Sequence, residues 1–104
     1  MGYVVHTAIV VTGRILVDLE MAHEEANRLG LRASEITRPS WTNGYMSFVI
    51  PPDGSKYGSP EWEKASSLRL KWTEFMENLE LAEETTCEWA SIQFGKELQY
   101  IKAD

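Results

Sequence analysis

The chain has 104 residues, a formal net charge of −6, 43% hydrophobic residues and four Trp, which suits a single domain spanning 1–104 and leaves no room for a second core. The excess acid is lopsided: residues 1–52 carry four Lys/Arg against five Asp/Glu, and residues 53–104 carry six against eleven. None of the ten basic residues falls in a run, so the composition argues against direct nucleic-acid or anionic-membrane binding and favours a partner protein with a basic surface.

Tyr3 to Thr12 is dominated by Val, Ile, Thr and Tyr and stops at Gly13, which predicts a well-buried central strand. Ile15, Leu19, Ala22, Ala26 and Leu29 then recur at helical spacing, with Leu16 beside them. Gly30 follows where a left-handed residue ends a helix. Leu31 to Ser40 reads as a weaker strand, placed at an edge because Pro39 cannot donate to a ladder. Asn43-Gly44, between Trp41 and Tyr45, favours the positive φ angles of a two-residue hairpin turn. Strand Tyr45 to Ile50 follows, with Met46, Phe48 and Ile50 on one face.

Pro51 to Gly58 carries loop residues, and Ser59-Pro60 supplies an N-cap and first turn for a second helix running to about Glu83. Its core stripe is Trp62, Ala65, Leu68, Trp72, Phe75, Met76 and Leu79, within an arc of about 140°. Thr86 to Phe94 and Glu97 to Lys102 alternate around Gly95-Lys96 and predict a closing hairpin. The expected order is therefore βαββαββ: an α+β fold in which an antiparallel sheet of 4–5 strands carries two helices on one face, the split βαβ or ferredoxin-like arrangement. Strand alternation leaves the other face with Tyr45, Ser47 and Val49 and some of Tyr3, Val5, Thr7, Cys87 and Trp89. That is apolar enough to predict a homodimer that covers it.

No stretch approaches the roughly 20 apolar residues of a membrane span, and Met1-Gly2-Tyr3 lacks a basic signal flank, so the expected location is the cytoplasm. One cysteine, Cys87, forms no internal disulfide or cysteine-based zinc cluster, and it lacks a neighbouring cation to activate it. His6 and His23 show no ligand-like pairing, and no nucleophile elbow, P-loop or paired-carboxylate pattern occurs. A non-enzymatic protein without a cofactor or metal is the expectation.

What remains are surfaces. Pro52 to Lys56, entering the second helix, offers Asp53 and Lys56 as contacts, though an ordinary turn explains it as well. On the outward side of that helix Glu74, Glu77, Glu80 and Glu84 share a face with Leu70 and Leu81, a mixture that fits an interface and fits equally a solvated face. Trp41 and Tyr45 flank the hairpin turn as partner anchors or as a pair stabilising their own hairpin. The rival to a protein-binding surface is a small-ligand pocket, between sheet and helices or between subunits, lined by Tyr3, His6, Tyr45 and Lys56.

The strings from His6 to Thr12, Ala22-His23, Asn43-Gly44-Tyr45 with Ser47-Phe48, and Pro52 to Lys56, together with Trp89 and Gln93-Phe94-Gly95, resemble a family of small uncharacterised proteins encoded by bacteriophages and prophages. The chain departs from that pattern at Tyr57 to Pro60, where the family continues with an acidic, tryptophan-containing stretch. The resemblance carries no catalytic residues. It implies a small acidic accessory protein that binds, and blocks, a host or defence component.

Overall fold

The computed structural model describes residues 6–94. Strand β1 (His6–Gly13) is central, with β2 (Met46–Ile50) antiparallel on one side and β3 (Glu88–Phe94) antiparallel on the other. Helices α1 (Leu16–Arg28) and α2 (Pro60–Leu81) follow β1 and β2. The fold is thus α+β, with a three-stranded antiparallel sheet and two helices among the described residues. The expected strand Glu97 to Lys102 and the N-terminal residues of the first expected strand lie outside them.

Register decides which side chains meet the helices. Ile9 pairs with Ile50 and Ser91, and Val11 with Phe48 and Trp89, so these residues share the helix-facing side. Ile9, Val11, Met46, Phe48 and Ile50 are buried there against Leu19, Ala22 and Ala26 of α1 and Trp72 and Met76 of α2. Leu68, Phe75 and Leu79 close the margins. Trp72 has its indole N–H 3.0 Å from the Ala22 carbonyl and its ring edge-on to Trp89 at 6.0 Å between centroids, which locks α2 to both α1 and β3. Ser59 caps α2 as its sequence demands, its hydroxyl accepting the Trp62 N–H at 3.1 Å. His23 is half-buried, with Nε2 donating to the Ser34 carbonyl at 2.8 Å and its ring edge-on to Phe48.

The expected strand Leu31 to Ser40 is not a strand. Ser34, Thr37 and Ser40 donate their backbone N–H groups to the carbonyls of Val49, Ser47 and Tyr45, at 2.8 to 2.9 Å. The same three residues accept the N–H groups of Val49, Ser47 and Tyr45 on their hydroxyl oxygens, at 2.8 to 3.0 Å. Three residues of this strap therefore span two of β2, a pitch closer to a threefold extended helix than to a pleated strand, with hydroxyls standing in for the carbonyls of a ladder. The pattern S-x-x-T-x-x-S puts a hydroxyl at every third position, and Pro39 falls where no N–H is needed.

The hairpin also differs from expectation. Asn43 and Gly44 do take positive φ, 69° and 67°, but the loop closes between Ser40 and Tyr45 and so spans four residues. The Ser40 hydroxyl, bonded to the Thr42 carbonyl and the Tyr45 N–H, takes the turn-closing role that would otherwise fall to a shorter turn.

Candidate functional site

Three chain segments converge at the end of the sheet where β1 terminates: the Trp41–Gly44 loop, the β1–α1 junction at Gly13-Arg14-Ile15, and the approach to β3. Two sets of bonds bring them together. The Arg14 Nε donates to the Asn43 carbonyl at 2.9 Å, with its guanidinium carbon 5.8 Å from the Tyr45 ring centre. The Asp18 carboxylate, in the first turn of α1, accepts both the N–H and the hydroxyl of Thr86 at 3.0 and 2.6 Å.

Between these segments lies an open cleft of about 670 Å3 whose walls include Thr12, Arg14, Ile15, Tyr45, Thr86 and Glu88. Ile15 occupies the N-cap of α1 and makes no side-chain cap bond, so the first turn presents apolar groups at the rim in place of a polar cap. Ile15, Leu16 and Val17 are all exposed, Val17 to 61%. Trp41 is fully exposed, at 104%, on a loop tied at both ends. Glu88 lines the same cleft, and the chain that leads from α2 to Thr86 carries the exposed Leu81, Glu83 and Glu84.

The sequence candidates divide between two ends. Tyr45 lines the cleft and Trp41 stands on the loop beside it, while Leu81 and Glu84 lie at and just beyond the end of α2 that leads to Thr86, with Glu80 and Glu77 further back along α2. Leu70, Glu74, Glu77 and Leu81 follow one another at spacings of four and three, one exposed stripe along the helix, but α2 ends at Leu81 and Glu83 takes φ 57°, so Glu84, expected on that stripe, leaves the helix face. Leu70 sits midway, and Asp53 and Lys56 lie at the opposite end, in the loop before α2. Of the residues expected to line a small-ligand pocket, Tyr45 borders the cleft and Lys56 lies in the loop before α2. His6 opens β1, whereas Tyr45 precedes Met46, the partner of Gly13 at the other end of that strand, about 25 Å away, and Tyr3 is outside the described residues.

The sequence reading missed Arg14, Leu16, Val17, Glu83 and Glu88. A signal was present at Leu16 and Val17, since Ile15-Leu16-Val17 is more apolar than one helix face needs. Nothing local marks the rest, whose position depends on β3 returning beside β1. Cys87 is buried between them, and burial holds its thiol above the ordinary range, with Asp18 reinforcing and a Thr85 bond opposing the shift. Among the described residues, no three His, Cys, Asp or Glu side chains gather to hold a metal ion.

No protein-family model and no curated protein matches the chain. Among solved structures it is similar to the crystal structure of a "putative PII-like signaling protein" from Thermus thermophilus, with 17% identity over 92% of each chain and a TM-score of 0.48. A likeness of that size carries no functional argument.

Proposed function

We propose that this chain is a small acidic accessory protein of the bacteriophage type that works by docking on a partner protein and blocking it, without catalysing a reaction. The observation that carries this reading is Trp41. A fully exposed tryptophan costs solubility and contributes nothing to its own core, yet here the loop that bears it is pinned by the Ser40 and Arg14 bonds. Rigid aromatic side chains presented in this way are what interface hot spots are made of. Tyr45 and Ile15 line the neighbouring cleft with Glu88, the exposed Leu16 and Val17 follow Ile15, and these apolar and acidic groups, with the exposed Glu83 and Glu84, fit a partner whose apolar socket has a basic surround.

On this reading the protein acts in the cytoplasm of the cell it inhabits, and no helix among the described residues is long and apolar enough to cross a membrane. The chain belongs, in our reading, to the ferredoxin-like split βαβ arrangement, with the hydroxyl strap in the place of the outermost strand beside β2. A second reading, sequestration of a small ligand, is favoured by the cleft itself, where Arg14 is the cation at the rim.

Co-purification from the host with the tagged chain tests the proposal, run beside Trp41→Ala and Glu83→Lys/Glu84→Lys. One partner should be enriched by the parent, lost with Trp41→Ala and weakened by the charge reversal and by salt. Equal recovery by all three chains would refute docking through this end. A bound small molecule recovered from the parent and lost with Arg14→Ala would favour sequestration instead.

A further inference from the structure

At the other end of the molecule, Arg69 of α2 reaches under the loop that leaves β2. Its Nη2 donates to the Pro51 carbonyl, while Nη1 is buried and has no hydrogen-bond partner among the described residues. Leaving a buried charged donor unpaired is expensive, and native chains seldom do so without a partner in view. Arg69 lines a hollow of about 540 Å3 together with Gly30, Arg32, Pro52, Asp53 and Leu68. Arg32 contributes a second guanidinium, exposed, on a backbone held at φ 56°, a left-handed conformation that an arginine adopts only at some cost. The one carboxylate among the described residues of the wall, Asp53, accepts a hydrogen bond from the Ser55 hydroxyl. Gly30, two residues before Arg32, also has positive φ, so the chain turns sharply at this wall.

We propose that this hollow is an oxyanion site, in which Arg69 Nη1 and Arg32 hold a phosphate or carboxylate group of a small molecule. A guanidinium with one nitrogen committed to a carbonyl is fixed in orientation, and the remaining nitrogen then offers its donors without further loss of freedom. Burial pushes the Arg69 pKa down and Asp53 opposes the shift. A bound anion would offset the same desolvation more fully, because it could occupy the unpaired side of the group. The site lies away from the Trp41 end, and the proposal does not depend on docking there.

The test uses the intact chain, inorganic phosphate and succinate, with sodium chloride at matched ionic strength as reference. Calorimetry and thermal melts should show saturable binding of at least one oxyanion, with a raised melting temperature. Phosphate alone acting would identify a phosphate ligand, and succinate alone a carboxylate. Arg69→Met should abolish binding, and Arg32→Ser, a change at an exposed residue, should weaken it by about tenfold or more. If Arg69→Met fails to fold, Arg32→Ser and Asp53→Asn decide. Asp53→Asn should tighten binding by removing a like charge. If Asp53→Asn instead destabilises the free protein and leaves anion affinity unchanged, Asp53 is the internal partner of Arg69 and the proposal falls. It falls also if neither anion acts beyond the chloride reference, or if the effect survives Arg32→Ser unaltered.

Discussion

The strap makes the sharpest claim about how this chain holds its sheet edge, and Thr37 is its middle rung. Thr37 donates its N–H to the Ser47 carbonyl at 2.9 Å and accepts the Ser47 N–H on Oγ1 at 3.0 Å. Thr37→Val keeps the shape and the first bond and removes only the acceptor. The net worth of one hydrogen bond is about 0.5–1.5 kcal/mol, and because Thr37 is exposed, water can reach the freed N–H, which places the loss toward the lower end. Thr37→Ser retains the hydroxyl and should be nearly neutral. Removing all three acceptors in Ser34→Ala/Thr37→Val/Ser40→Ala should cost about 2–3 kcal/mol, with Ser40 above the mean because it also ties the loop. Urea unfolding measures the loss. Amide exchange should locate it at Tyr45, Ser47 and Val49, whose protection falls while that of Ile9 and Val11 is kept. If Thr37→Val and Thr37→Ser unfold at the same urea concentration and exchange alike at Ser47, the hydroxyl is not an edge partner and the strap is held by its apolar contacts alone.

Trp72→Ala removes the largest fully buried side chain and its bond to Ala22, and should cost about 3–5 kcal/mol, lowering the melting temperature by roughly 12 °C or more; an unchanged melt would place Trp72 at the surface. Gly13→Ala should be almost silent in the same melt. A Cβ there meets Cys87 and Leu19 at ordinary contact distances of 3.5 to 3.7 Å, and the residue has no positive φ, so a large loss would show the junction to be tighter than this packing. Burial raises the Cys87 pKa in the folded chain, so the unfolded chain ionises first as pH climbs. Stability should therefore be full below the usual thiol pKa and decline as pH rises through it toward the folded value, a slope that Cys87→Ala should flatten in urea titrations. The helix-free sheet face carries Ala8, Val10, Val49, Ala90 and Ile92, whereas Thr7, Cys87 and Trp89, expected there, turn toward the helices. If a second copy covers this face, sedimentation at tens of micromolar should give a dimer burying at least about 1,000 Å2, dissociated by Val10→Lys; a monomer mass would refute it.

Periodicity was a good guide wherever one period governed a whole element. The core-facing residues Leu68, Trp72, Phe75, Met76 and Leu79 of α2 and the triplet Met46, Phe48 and Ile50 were legible because each set buries one face, whereas Trp62, expected on the same stripe, packs on Tyr57 ahead of the core. The strap was illegible for the opposite reason. Its extended character showed in the composition, but strand reasoning assumes one residue against one, and the Ser/Thr spacing of three encodes a different ratio. The inverted faces of β3 have a related cause. Cys87 and Trp89 alternate with Glu88 and Ala90 equally well in either orientation, and only the pairing of Val11 with Trp89 chooses between them.

The same distinction explains which site residues were visible. Trp41 and Tyr45 stood out because aromatic residues around an Asn-Gly turn are a local signal, and the acidic stripe stood out because α2 is regular for 22 residues. Arg14 was invisible because its meaning depends on a carbonyl 29 positions away, at Asn43, reached only after the strap and β2 have folded back along β1. Arg69 was invisible for the same reason, since a lone arginine on a helix ordinarily faces water and only the Pro51-Pro52 exit from β2 covers it. Both arginines are spent on backbone carbonyls of loops that adjoin β2, one at each end. Their second role, toward partner or anion, therefore rests on guanidinium groups whose orientation the fold has already set, which is where binding loses least entropy.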